Sequence, residues 1–188
     1  HNEGALSEGF RYIMSHTNIK KVVLSHYPDC SWNNVVDIRN PGNHDFGSIL
    51  MDGFARTYDA LTKAGKEIYV VLDNPTYEQD SWPKCNASVV RRPSAIPSFL
   101  SSKKTEVCFA KQSDLIKRKM VDNWNKVSLE SAAGYRNIHF MDLEQLFCHD
   151  GTCSMLDSKA NMLYMDFTHL NTRGSIYAAP YLLDQLRR

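Results

Sequence analysis

Three short apolar runs rich in β-branched and aromatic residues punctuate the chain: Val22-Val23-Leu24, Ile68-Tyr69-Val70-Val71-Leu72 and Ile138-His139-Phe140-Met141. Runs of this length, bounded by turn residues, suit strands buried on both faces of a parallel sheet. The segments between them carry helical period. Leu6, Phe10, Ile13 and Met14 share one face over residues 5–16. Ile49, Leu50, Phe54, Tyr58 and Leu61 do so over 47–64, where Gly65 supplies a stop. Residues 110–132 read as helix, with Leu115, Ile116, Met120, Trp124, Val127 and Leu129 apolar. A last helix starts at Asn171 or Thr172, either of which can cap it, and its expected buried stripe is Ile176, Ala179, Leu183 and Leu186.

Two stretches lack period. Residues 28–46 are rich in Pro, Gly, Asn and Asp and read as a loop. Residues 74–109 hold four prolines, Cys85 and Cys108, and read as a long loop, either functional or disordered. Alternating strands and helices predict an α/β fold, a three-layer α/β/α sandwich in which 22–25, 68–72 and 138–141 are adjacent parallel strands. Ligands bind such sheets beyond the carboxyl ends of the strands. The loops after Leu24 and Leu72, and the turn at 164–171, are expected to open on that edge. No internal repeat is present, so residues 1–188 read as a single domain.

Composition narrows the function. Hydrophobic residues make up 43% and charged residues 23%, as in ordinary globular chains, and the net charge of +1 argues against bulk binding to nucleic acid. No apolar run reaches the roughly 18 residues of a membrane helix. The chain opens at His1 with neither Met nor signal peptide, which fits a piece excised from a longer polypeptide.

Five cysteines occur without a Cys-x-x-Cys pair, which disfavours zinc and thioredoxin-like chemistry. In Cys148-His149-Asp150-Gly151-Thr152-Cys153, Asp150-Gly151 is a strong two-residue hairpin turn. Cys148 and Cys153 then face each other as a non-hydrogen-bonded pair about 4.5 Å apart at Cα, within disulfide range. Cys85 and Cys108 flank the long loop and form the natural second bridge, leaving Cys30 odd. Two bridges favour an oxidising compartment; the alternative is reduced, buried cysteines in the cytosol. The seven histidines are scattered with no i, i+4 pair on a helix, so neither a metal nor another cofactor is expected. Gly-x-Gly-x-x-Gly, P-loop, Gly-x-Ser-x-Gly and His-Glu-x-x-His motifs are missing from the sequence.

One constellation carries chemistry. In Tyr164-Met165-Asp166-Phe167-Thr168-His169-Leu170-Asn171, a carboxylate precedes a histidine by three residues, in a turn just before the last helix. At that spacing Asp166 can hold one nitrogen of His169 and fix its tautomer, so that the other nitrogen acts as a base on a hydroxyl nucleophile. The block Asp166-Phe167-Thr168-His169-Leu170-Asn171, followed by Gly174-Ser175, resembles the last block of SGNH/GDSL-type esterases and acyltransferases. More narrowly, it is similar to SGNH domains fused behind type-3 acyltransferase membrane domains in bacterial envelope enzymes.

The resemblance implies a flavodoxin-like sheet of five strands, of which this chain offers three. It also implies a Gly-Asp-Ser nucleophile block, which occurs nowhere in the sequence. Three explanations follow. The block lies upstream, and the chain is the C-terminal part of the full domain, which is the reading adopted; the protein is a non-hydrolytic relative; or a serine inside the chain serves. Ser25, beside His26 at a strand end, is the internal candidate, although an ordinary strand-end pair lining the cleft is the plainer reading. The odd Cys30 accords with the first explanation, since relatives often carry a cysteine just after the nucleophile block. Gly42-Asn43-His44-Asp45 lies near the family's Gly-x-Asn-Asp pattern, which makes Asn43, with Asn33 and Asn34, an oxyanion candidate; a polar turn is the plainer reading. Trp32, Tyr77 and Trp82 are placed to stack on sugars or to cover the core.

What the resemblance implies for function is O-acyl transfer, chiefly acetyl, to an envelope glycan such as the O-antigen of lipopolysaccharide, or hydrolysis of such an ester. The acyl group would be delivered by a membrane acyltransferase domain of the same polypeptide, and the domain would sit on the periplasmic side of the inner membrane. The rival reading is a carbohydrate-binding or scaffolding module on an SGNH fold, with Asp166 and His169 merely structural.

Overall fold

The computed structural model describes residues 3–25, 37, 39–90, 106–116 and 119–187. The expectations for His26, Cys30, Trp32, Asn33 and Asn34 lie outside these residues. The chain divides into two compact units, His1–Val71 with Asn123–Met141, and Leu72–Asp122 with Asp142–Arg188.

The first unit holds the parallel sheet. Strands β1 (Lys21–Ser25), β2 (Glu67–Leu72) and β4 (Ile138–Asp142) lie in the order β1-β2-β4. β1 and β2 run parallel, in register from Lys21 opposite Glu67 to Ser25 opposite Val71. The fold is therefore α/β, and the three apolar runs are its strands. Ile68, Tyr69 and Val70 are all buried, as a strand covered on both faces requires. Helix α1 spans Glu3–Ser15 and α2 spans Phe46–Lys63.

Asp45 caps α2 by accepting from the backbone N–H groups of Gly47 and Ser48. At the other end Gly65, at φ +68°, takes the left-handed position that closes a helix at least steric cost. Tyr58 and Leu61 on this helix are fully buried. On α5 (Lys119–Ser131) the expected apolar Leu129 is instead 46% exposed, and its neighbour Ser128 is fully buried. The swap is tolerated because the Ser128 hydroxyl pairs with Tyr58 Oη at 2.8 Å, leaving neither group unsatisfied.

The second unit is built on a small antiparallel sheet, β3 (Phe109–Lys111), β6 (Thr152–Ser154) and β5 (Cys148–His149), in the order β3-β6-β5. Asp150 (φ 50°) and Gly151 (φ 74°) make the expected tight hairpin turn, and Cys148 faces Cys153 across it. The two are bonded, with Cα atoms 3.9 Å apart. Cys85 and Cys108 form the second disulfide.

The stretch 74–109 is less irregular than its composition indicates, since Ser81–Val90 forms helix α3. Pro83 falls in its first turn, where a missing N–H costs nothing, so the proline does not break the helix. Gln112–Ile116 (α4), Glu144–Phe147 (α6) and Thr172–Arg187 (α7) complete the elements. The core of this unit gathers Tyr77, Phe147, Met155, Leu163, Tyr164, Cys85, Cys108 and Cys153.

Helix α7 corrects the sequence reading. Ile176 and Leu183, expected to be buried, are 67% and 52% exposed, whereas Gly174 and Ala178 face inward. Contact is too close for large residues: a Cβ at position 174 would run into the Leu163 carbonyl. Small residues mark the seam here, and the apolar stripe points elsewhere.

Candidate active site

The turn that carries Asp166 and His169 is fixed by its own hydrogen bonds. Met165 N–H donates to His169 C=O at 2.8 Å, and Tyr164 pairs with Leu170 in an isolated antiparallel bridge. Beyond it Asn171 caps α7, accepting from Gly174 N–H at 2.9 Å, while its amide donates to the carbonyls of Met162 and Tyr164. Asn171 is thus both helix cap and turn brace.

Inside the turn the Asp166 carboxylate collects four donors. Oδ1 accepts from the backbone N–H of Thr168 and of His169, each at 2.7 Å, and from Thr168 Oγ1 at 3.0 Å. Oδ2 accepts from His169 Nδ1 at 2.7 Å. Burial pushes this carboxyl up, but the N–H groups of His169 and Thr168, with the two side chains, outweigh burial and hold it at about 2. Asp166 is therefore ionised across the physiological range. Thr168 Oγ1 also lies 3.0 Å from His169 Nδ1, so that nitrogen is enclosed between a carboxylate and a hydroxyl. The imidazole side chain is half exposed. This arrangement orients the imidazole and sets a permanent negative charge beside Nδ1, the geometry that base catalysis by a histidine requires.

Other parts of the second unit grip the same turn. Asn74 Nδ2 donates to Thr168 C=O at 2.8 Å, and Tyr77 N–H donates to Phe167 C=O at 2.8 Å. Trp82 Nε1 donates to Tyr164 C=O at 3.1 Å. Burial pushes the phenols of Tyr77 and Tyr164 up, keeping both neutral. Tyr77 is 1% exposed and belongs to the core, whereas Trp82 is half-buried. Asp73, between β2 and Asn74, is pushed up by burial to about 7. The sequence singles out Tyr77 and Trp82 as sugar-stacking or core-covering residues, whereas Asp73 and Asn74 are not legible there as site residues. Their signal is the polar Asp73-Asn74 pair placed directly after the clearest strand.

Ser25 is the exposed last residue of β1 in the first unit. Asn43 sits before α2. Its Oδ1 accepts from Asp45 N–H at 2.9 Å and its Nδ2 donates to Ser48 Oγ at 3.0 Å, so its side chain helps to shape the helix start. Among the described residues, Glu144 lies near Cys148 and Cys153, but the two sulfurs are joined to each other and leave no thiolates for a metal.

No curated protein matches the chain. Among the described residues, no helix is long and apolar enough to cross a membrane. The family model described as the SGNH domain fused to AT3 domains matches residues 4–184, nearly the whole length. That match supports a hydrolase or acyltransferase-like role and suggests a domain of a membrane protein whose other part is an AT3 domain. The acid–histidine turn, the three-stranded parallel sheet and the family match agree, and the chain belongs to the family of SGNH domains fused to AT3 domains.

Proposed function

We propose that this domain moves an acyl group, most simply acetyl, onto a hydroxyl of a cell-envelope polysaccharide by a Ser-His-Asp mechanism, with ester hydrolysis as the same chemistry toward water. The single observation that carries this reading is the 2.7 Å bond between His169 Nδ1 and a carboxylate kept ionised by four donors. With its proton on Nδ1, the ring presents a lone pair at Nε2.

Nε2 takes the proton of a serine hydroxyl as the serine oxygen attacks the acyl carbonyl. The new Ser O–C bond forms, the bond from the acyl carbon to the donor's leaving group breaks, and the imidazolium hands its proton to that group. In the second half Nε2 takes the proton of the acceptor hydroxyl. The sugar O–acyl bond forms, the serine ester breaks, and the serine oxygen recovers the proton. Asp166 stabilises the imidazolium in both halves without changing its own protonation.

In this reading the acyl donor is delivered by the AT3 membrane domain of the same polypeptide, and the site faces the periplasm. Two disulfides support an oxidising compartment. The nucleophile is either Ser25 or a serine carried on polypeptide outside these 188 residues; we adopt the second. Ser25, His26 and Asn43 are then candidates for oxyanion or substrate contacts.

The test is turnover of nitrophenyl acetate by the 188-residue chain and by the polypeptide encoded by its full gene, each also as His169→Ala and Ser25→Ala. The expected result is turnover by the gene-length protein that collapses without His169. Activity of the short chain abolished by Ser25→Ala would place the nucleophile inside it. Turnover indifferent to His169 would remove the enzyme reading and leave the carbohydrate-binding module.

A further inference from the structure

We infer that Asn74 is a positioning residue for His169, acting through the peptide that joins Thr168 to His169; this rests on the dyad reading above. That peptide is a rigid plane with the Thr168 C=O at one end and the His169 N–H at the other. The N–H is taken by Asp166 Oδ1 at 2.7 Å, and the C=O accepts from Asn74 Nδ2 at 2.8 Å. The plane from which the imidazole is suspended is therefore held on both sides. Asp166 holds one side and the imidazole as well. Asn74, 94 residues away in sequence, holds the other.

The choice of a side-chain amide has a chemical reason. Thr168 is 4% exposed, so its carbonyl needs a donor from the protein. Main-chain donors in the 74–77 segment are limited because Pro75 has no N–H, and Tyr77 N–H is already committed to Phe167 C=O. An amide on the residue before the proline fills the gap.

Asn74 Nδ2 is itself steadied. Tyr164 Oη lies 3.4 Å away and donates to Pro75 C=O at 3.1 Å, while Pro75 C=O lies 3.3 Å from the same Nδ2. Tyr164 is 1% exposed and Asn74 part-buried, so on the Tyr164 side of this network a lost donor is not replaced by water. Thr168 also places Oγ1 3.0 Å from His169 Nδ1, so any tilt of its peptide disturbs both partners of that nitrogen.

The experiment is nuclear magnetic resonance of the ring nitrogens and the Nδ1 proton of His169, assigned by its loss in His169→Ala. It is run on the 188-residue chain as wild type, Asn74→Ala, Asn74→Asp and Tyr164→Phe, with thermal melts alongside. Asn74→Asp keeps the shape and removes the donor. The expected result is a cooperative fold in both Asn74 variants, with the Nδ1 proton shifted or broadened. Tyr164→Phe, which keeps the bond from Asn74 to Thr168 and only loosens the amide, moves that resonance less than either Asn74 variant does. In the turnover assay on the gene-length protein, Asn74→Ala should lower kcat by about tenfold to a hundredfold with little change in KM, as a small misplacement of a reacting group does. Three results would each overturn the proposal: an unmoved Nδ1 resonance in the Asn74 variants, an equal shift in Tyr164→Phe, or loss of the fold in both Asn74 variants. Failure of the dyad reading is a separate outcome, because it appears as turnover indifferent to His169 while the resonance still answers to Asn74.

Discussion

At the scale of single residues, the site is an ionised carboxylate that accepts four hydrogen bonds from one turn. His169→Ala should lower turnover by a factor of about 10²–10⁴, the usual worth of a positioned base. Asp166→Asn should approach that loss, because an amide offers Nδ1 the wrong tautomer and no counter-charge. The same carboxylate has a signature in stability. Its folded pKa, about 2, lies below the roughly 3.9 of an unfolded aspartate, so its contribution is present above pH 4 and is lost as pH falls toward 2. Acid melts of Asp166→Asn should lack that component.

Asp73 has the opposite sign. Burial holds it at about 7 in the folded protein, so folding favours its neutral form, and stability falls as pH rises from about 4 to 7. Asp73→Asn should compare better with wild type in melting temperature at pH 8 than at pH 4; the same difference at both would contradict this. The dyad was legible in the sequence because both partners lie within one turn. Asn74 was not, because its partner is 94 residues distant and no local pattern announces a side chain that replaces a proline's missing N–H.

At the scale of elements, backbone hydrogen bonds lead from the Cys85–Cys108 disulfide to the dyad turn. Cys108 C=O accepts from Met155 N–H, Met155 C=O from Leu163 N–H, and Leu163 C=O from Asn171 N–H, each at 2.9 Å. Helix α3 adds a second route, with Cys85 bonded to Cys108 and Trp82 holding Tyr164 C=O. The Cys85–Cys108 bridge closes a 23-residue separation, worth roughly 3 kcal/mol in the chain-entropy model. Replacing both cysteines by alanine should lower denaturant stability by about that amount and weaken the Nδ1 signal of His169; an unchanged midpoint would contradict the argument.

Gly174→Ala should also destabilise. Alanine gains about 1 kcal/mol of helix propensity, but forcing a methyl into a backbone carbonyl costs about 1–3 kcal/mol or more. A raised melting temperature would show that α7 can shift. The hairpin disulfide was legible because Asp-Gly dictates both turn and register. The buried face of α7 was not, since apolar period identifies a seam only where large residues fill it, and here Gly174 and Ala178 do so.

At the scale of the whole molecule, the parallel sheet belongs to one compact unit and the acid–histidine turn, both disulfides and the Asn74 clasp to the other. The strand order and the family were legible because β-branched runs and the Asp-x-x-His block are local signals. The two-unit division was not, because it rests on long-range contacts. The central claim is that His169, oriented by Asp166, activates a serine. The most direct measurement is labelling of the gene-length protein with a serine-reactive fluorophosphonate, with the modified residue located by mass spectrometry. The account predicts one labelled serine, with labelling abolished in His169→Ala and strongly slowed in Asp166→Asn. Labelling of a serine at the same rate with and without His169 would contradict it.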